Sequence, residues 1–167
     1  MTRFHLAQVN IGRLRAPIDD PIMEGFRSQL DPINALADRS PGFVWRLQTE
    51  DGNATAIRPY DDDRMAINLS VWESIDALQR FVYRSAHVAP LRDRSQWFEP
   101  IAGPILALWW IAAGHVPTVA EAKERLQMLE QRGPSPDAFT FRRPFPAPDA
   151  APESIQGLDA AFCEWAT

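Results

Sequence analysis

The stretch Met65–Trp72, MAINLSVW, constrains this chain more than any other. It is almost wholly apolar, contains β-branched residues and is too short for a self-burying helix, so it reads as a strand covered on both faces. Ser74 ends it as a helix N-cap, and Ile75, Leu78, Val82 and Ala86 follow at helical spacing. Their stripe packs back on the strand just left. Tyr83 and His87, four residues apart, share one flank of this helix. Pro90 cannot continue it, because its ring clashes with the Ala86 carbonyl, which places His87 at a helix end.

The remaining chain supplies partners for that strand and helix. Phe4–Leu14 alternates Phe4, Leu6, Gln8 and Asn10 against His5, Ala7, Val9 and Ile11, as a first strand does. Asp20 caps and Pro21 opens a first helix carrying Ile22, Met23, Phe26, Leu30, Ile33, Leu36 and Ala37, with a kink or restart expected at Asp31-Pro32. After Ser40-Pro41-Gly42, Phe43–Thr49 predicts a second strand, and polar Glu50–Arg64 a connecting loop. The run after Pro90 predicts a short helix or turn ending near Pro100. ILALWWIA, Ile105–Ala112, is too short to span a bilayer and reads as a central strand. Thr118-Val119-Ala120-Glu121 is a capping box, and Val119, Ala122, Leu126 and Leu129 stripe a last helix ending at Gly133-Pro134.

This order predicts an α+β, ferredoxin-like split βαβ domain over residues 1–133, with a four-stranded antiparallel sheet. Residues 134–167, proline-rich, read as a C-terminal arm or tail. Several strands are apolar on both sides and few elements remain to cover the second face, so a partner subunit is the simplest cover. The length of 167 residues fits one domain. A net charge of −5 without a Lys/Arg-rich stripe argues against nucleic acid, and no run of about 18 apolar residues argues for a membrane. The N-terminus lacks the sections of a signal peptide and the single Cys163 has no partner, so a cytoplasmic protein is expected.

Candidate site residues each carry two readings. His87 has the chemistry of a general base or iron ligand, or is a histidine stabilised by the helix dipole. Tyr83 is a proton donor beside it or an amphipathic cap on the core. Gln8 and Asn10 share a strand face and need hydrogen-bond partners, from a ligand or from the protein. Arg46 lies amid apolar residues and needs a carboxylate or an anionic ligand. Arg84 belongs to a charged face that binds an anion or pairs internally. Trp72 and Trp97 line an aromatic pocket or pack the core. Three dispersed histidines without carboxylates at ligand spacing do not make a zinc site.

The segments LAQVNIGRL, DPINALADRSPGFVWRLQ, NLSVWES, FVYRSAH, QWFE, LWWIAAGHVPT and PSPDAFTF together resemble an uncharacterised bacterial family related to the antibiotic-biosynthesis monooxygenases. The resemblance implies a dimeric α+β barrel with a ligand cavity between sheet and helices in each subunit. Haem-degrading members of that superfamily carry an asparagine late in the first strand, a VW-x-S turn and a histidine near the end of the second helix. Asn10, Val71-Trp72-Glu73-Ser74 and His87 stand in comparable places; Phe81 stands nearest to their helix tryptophan. The implied function is cofactor-independent monooxygenation, or acid/base cyclisation or isomerisation, of a hydrophobic aromatic or polyketide-like molecule by a homodimer. His87 removes a proton while Tyr83, Asn10 or Arg46 stabilises an enolate. The alternatives are haem binding with His87 on the iron, and a non-catalytic ligand-binding dimer.

Overall fold

The computed structural model describes residues 3–86 and 94–150. Its sheet is built on β1 (Phe4–Leu14), which pairs antiparallel with β3 (Met65–Trp72) along one edge. Its other edge takes β5 (Leu106–Ala112) and the two-residue β4 (Phe98–Glu99). β2 (Phe43–Arg46) lies outside β3, with a register irregularity between Phe43 and Trp45. With β4 and β5 sharing one edge of β1, this is the strand order of a ferredoxin-like fold, as expected. The sequence pattern had not suggested β4, which is too short to show a period.

α1 (Glu24–Asp38) and α2 (Ile75–Ala86) lie on one face of the sheet. Asp20 caps a short 3₁₀ turn, accepting from the Ile22 N–H at 3.0 Å, and α1 runs on through Pro32 instead of restarting there. Pro32 lies on the exposed side of the helix. Ser74 caps α2, its Oγ accepting from the Ala77 N–H at 3.1 Å. Gly42, at φ +82°, turns the chain into β2 where a Cβ would stand 2.5 Å from that of Ala77. Only glycine meets both demands.

The second face needs no partner to cover it. Ala7, Val9, Ile11, Ile67, Leu69, Val71 and Trp109 are buried there beneath Ala122, Leu126 and Leu129 of α4 (Val119–Arg132), with Ile57 and Tyr60 of the long loop beside them. The expectation of a covering subunit arose because the last helix was not assigned to this face. The capping box is half formed: Thr118 Oγ1 accepts from the Glu121 N–H at 3.1 Å, but the Glu121 carboxylate turns to the sheet. It accepts from Trp109 Nε1 at 2.9 Å and from His115 Nε2 at 2.8 Å. α4 is thereby fastened to β5 through a buried indole.

The arm after α4 rounds the outer edge of β5. Leu108 and Phe139 exchange two backbone bonds of 2.8 Å, Ala138 joins the α4-side core, and Phe139 and Phe141 join the opposite one. Trp110 Nε1 donates to the Phe145 carbonyl at 2.9 Å. The segment 138–145 is therefore packed on its own subunit. Among the described residues no helix is long and apolar enough to cross a membrane.

Burial pushes the Glu121 carboxyl up, but the bonds from His115 and Trp109 outweigh it and hold it below its ordinary value. The unfolded carboxyl then takes a proton before the folded one as pH falls. This contribution is complete above the ordinary glutamate value and is lost as pH drops through the lowered folded one. Glu121→Gln should flatten the acid limb of the urea midpoint against pH. Glu121→Ala should cost about 1–3 kcal/mol at pH 7, because the Trp109 N–H is left buried without an acceptor.

Candidate functional site

The alternation of β1 separates two environments. Residues 7, 9 and 11 enter the α4-side core, whereas Gln8, Asn10, Gly12 and Leu14 face α1 and α2 across a cavity of about 280 Å³. Across the strand pair, Gln8 is opposite Ser70 and Asn10 opposite Asn68. β3 is thus not uniformly apolar: Ala66, Asn68, Ser70 and Trp72 line the cavity, and Ile67, Leu69 and Val71 feed the core beneath it.

The helix side supplies Phe26, Leu30 and Ile33 from α1, and Leu78, Phe81 and Val82 from α2. Trp72 is buried, stacked on Phe81 at 5.0 Å and edge-on to Phe43 at 5.3 Å. At the other end Trp97 and Phe98 pack around Phe26 at 6.2 and 5.3 Å. The Phe98 ring lies against Gly12, where a Cβ would come within 2.5 Å of it, so the missing side chain makes room for that wall. Phe141 of the C-terminal arm and residues 53–55 of the long loop complete the lining.

The polar part is mostly uncharged. The side chains of Gln8, Asn10, Gln29, Asn34, Asn53 and Asn68 bring carboxamides to the cavity. On its floor Trp72 Nε1 donates to Ser70 Oγ at 2.9 Å, and Ser70 Oγ donates to Gln8 Oε1 at 2.9 Å. Arg46 reaches the lining with its charge already matched: Nε and Nη2 lie 2.7 and 3.2 Å from the two oxygens of Asp38, and Nη1 donates to the Gly52 carbonyl at 2.7 Å. Of the two readings open from sequence, the carboxylate partner is the one observed. Arg58 and Asp63 are exposed at the rim.

Of the residues singled out from sequence, Gln8, Asn10, Arg46, Trp72, Phe81 and Trp97 meet at this cavity. Tyr83 and Arg84 do not line it. Tyr83 is 63 % exposed because it stands about 140° round the helix from the buried Leu78, and Arg84 is exposed on the outer side as well. His87 lies outside the described residues, as does Cys163. Asn68, Ser70, Gly12, Phe98 and Phe141 were missed. The first two follow from a period of two counted back from Trp72; the last two come from segments with no periodic signal.

Residues 5–155 match a family model described as a domain of unknown function, DUF3291. The chain belongs to this family. No curated protein matches it. Two solved structures of SnoaB, a cofactor-independent oxygenase from Streptomyces nogalater, are similar in general chain path. The native form is 19 % identical with a TM-score of 0.41, and a single-residue mutant 17 % identical at 0.40. Each comparison covers 67 % of the DUF3291 chain and 95 % of SnoaB.

The described lining of the DUF3291 cavity contains no histidine, cysteine or tyrosine to offer an iron, and no cluster of metal-ligating side chains occurs among the described residues. The histidine expected on iron in the haem reading, His87, lies outside the described residues. Arg46→Met should lower stability by about 1.5–3 kcal/mol in urea unfolding and speed proteolysis within residues 50–64, since it releases Gly52 and Asp38 together. Were Arg46 reserved for an anionic ligand, the same change would weaken binding and leave stability alone.

Proposed function

We propose that the DUF3291 domain is a small-molecule enzyme that takes a planar, uncharged aromatic or polyketide-like substrate between its sheet and helices. Its reaction is cofactor-independent monooxygenation, with acid/base cyclisation or isomerisation as the related chemistry of the same site. One observation carries the reading: the cavity joins aromatic walls to a band of carboxamides, while the half-buried cation of its described lining, Arg46, is already paired. Such a lining discriminates by shape and by hydrogen bonds to neutral oxygens, and offers little to a multiply charged metabolite.

In this proposal His87, following directly on α2, removes a proton from a methylene carbon conjugated through the ring with a substrate carbonyl, and the Asn10 amide donates to the enolate oxygen that results. The enolate passes electrons to dioxygen, which bonds to the same carbon; the hydroperoxide then loses water and leaves a ketone. A methylene and dioxygen thus become a carbonyl and water, with no further oxidant or reductant. Tyr83, one helical turn before His87, is read as a proton donor beside it. The enzyme is read as a cytoplasmic homodimer. β2 is the outermost described strand on its side of the sheet, and Val44 on it is 40 % exposed, so this edge is the one offered to a second copy.

Asn10→Leu should lower kcat about 100-fold on a three-ring anthrone-type methylene ketone, the cost of one lost oxyanion donor, with little change in KM. Mass spectrometry under isotopically labelled dioxygen should show a single labelled oxygen in the product, with a metal chelator present throughout. His87→Ala should abolish turnover and leave the melting temperature unchanged. Full activity in that variant would remove His87 from the mechanism.

A further inference from the structure

The floor of the cavity has a direction. An indole N–H only donates, so Ser70 Oγ must accept from Trp72 Nε1. Ser70 then has a single hydrogen to give, and among the described residues its one acceptor is Gln8, 2.9 Å away. The group of Gln8 facing Ser70 is therefore the carbonyl oxygen, and the NH₂ is turned from it. Gln8 lines the cavity at 8 % exposure, and its nitrogen makes no hydrogen bond to any described residue. The nitrogen still reaches the cavity, so a bound molecule that covers it must accept from it or leave the donor unmatched at a cost.

We infer that Gln8 is a fixed hydrogen-bond donor for an oxygen of the bound molecule, which makes the ligand class neutral aromatic ketones and related oxygen acceptors rather than hydrocarbons or hydrogen-bond donors. This rests on the cavity being the substrate site, and goes beyond it by assigning the polarity of one contact. Gln8 cannot reverse its amide to suit a donor without facing its NH₂ to Ser70, whose hydroxyl hydrogen would then have no acceptor among the described residues. Asn10 has no such constraint, since no described residue is bonded to its side chain, and it is free to adapt to either polarity. The pair thus divides the work: Gln8 selects, and Asn10 accommodates.

The test compares fluorenone with fluorene, which has a methylene in place of the ketone's carbonyl. Titration of the full chain, followed by tryptophan fluorescence, should show fluorenone bound about fivefold more tightly. Gln8→Leu should erase that preference while keeping the fluorene affinity. In the unaltered protein the carbonyl stretch of bound fluorenone should move to lower frequency than in an apolar solvent, a readout that stands even if the variant folds poorly. Equal binding of the two probes with an unshifted stretch would overturn the inference and leave the cavity reading intact. So would a preference that persists in Gln8→Leu. Failure of both probes to bind would overturn both.

Discussion

The pleat of β1 is the constraint on which the rest depends. The strand pairs with β3 along Leu6–Arg13 and with β5 along Phe4–Asn10, so its backbone groups are committed to the sheet for most of its length. Arg13 then reaches Asp62 at 2.7 Å and Glu99 at 2.8 Å, tying the long loop and β4 to its far end. A slip of one residue would exchange Ala7, Val9 and Ile11 for Gln8, Asn10 and Gly12, placing amides in the α4-side core and branched side chains in the cavity. Burial of the odd-numbered set therefore specifies the position of the polar set. The site inherits its precision from a hydrophobic core on the opposite side of the sheet.

That dependence explains why α4 bears on function without touching the cavity. It closes the α4-side face within the chain, and the Trp109–Glu121 bond joins it to β5 from beneath. The arm after α4 then crosses the edge of β5 and delivers Phe141 to the cavity wall. A sheet with one face exposed would call for a second subunit there. Among the described residues the α4-side face is filled and the cavity on the other face is lined by the single chain.

What was legible in the sequence is what short-range physics determines. The alternation of Phe4–Leu14, the Ser74 and Thr118 caps and the Gly133 stop depend on neighbours within a turn, and all appear as expected. Gln8, Asn10, Arg46, Trp72, Phe81 and Trp97 were found because polar or aromatic residues inside apolar periods stand out. The rest required distant contacts. Phe98 lines the cavity because Gly12 leaves a space more than eighty residues earlier in the chain, and Phe141 does so because the arm pairs with Leu108. The spacing of Tyr83 to His87 puts the two on one flank without saying which flank of the helix faces the described cavity. Leu78 and Val82 line that cavity, and Tyr83 is exposed.

The charge distribution of the described lining supports the proposed neutral substrate. Bringing an anion into an aromatic cavity requires a cation free to meet it, because desolvation is otherwise uncompensated. Arg46 is the cation best placed for this, and it is held by both oxygens of Asp38 and by the Gly52 carbonyl, a geometry that satisfies most of its donors. Diverting it would break an ion pair that also anchors the loop supplying Asn53 and Thr55 to the wall. A neutral ketone asks for no such rearrangement: it needs one oriented donor, and the chain from Trp72 through Ser70 to Gln8 supplies it.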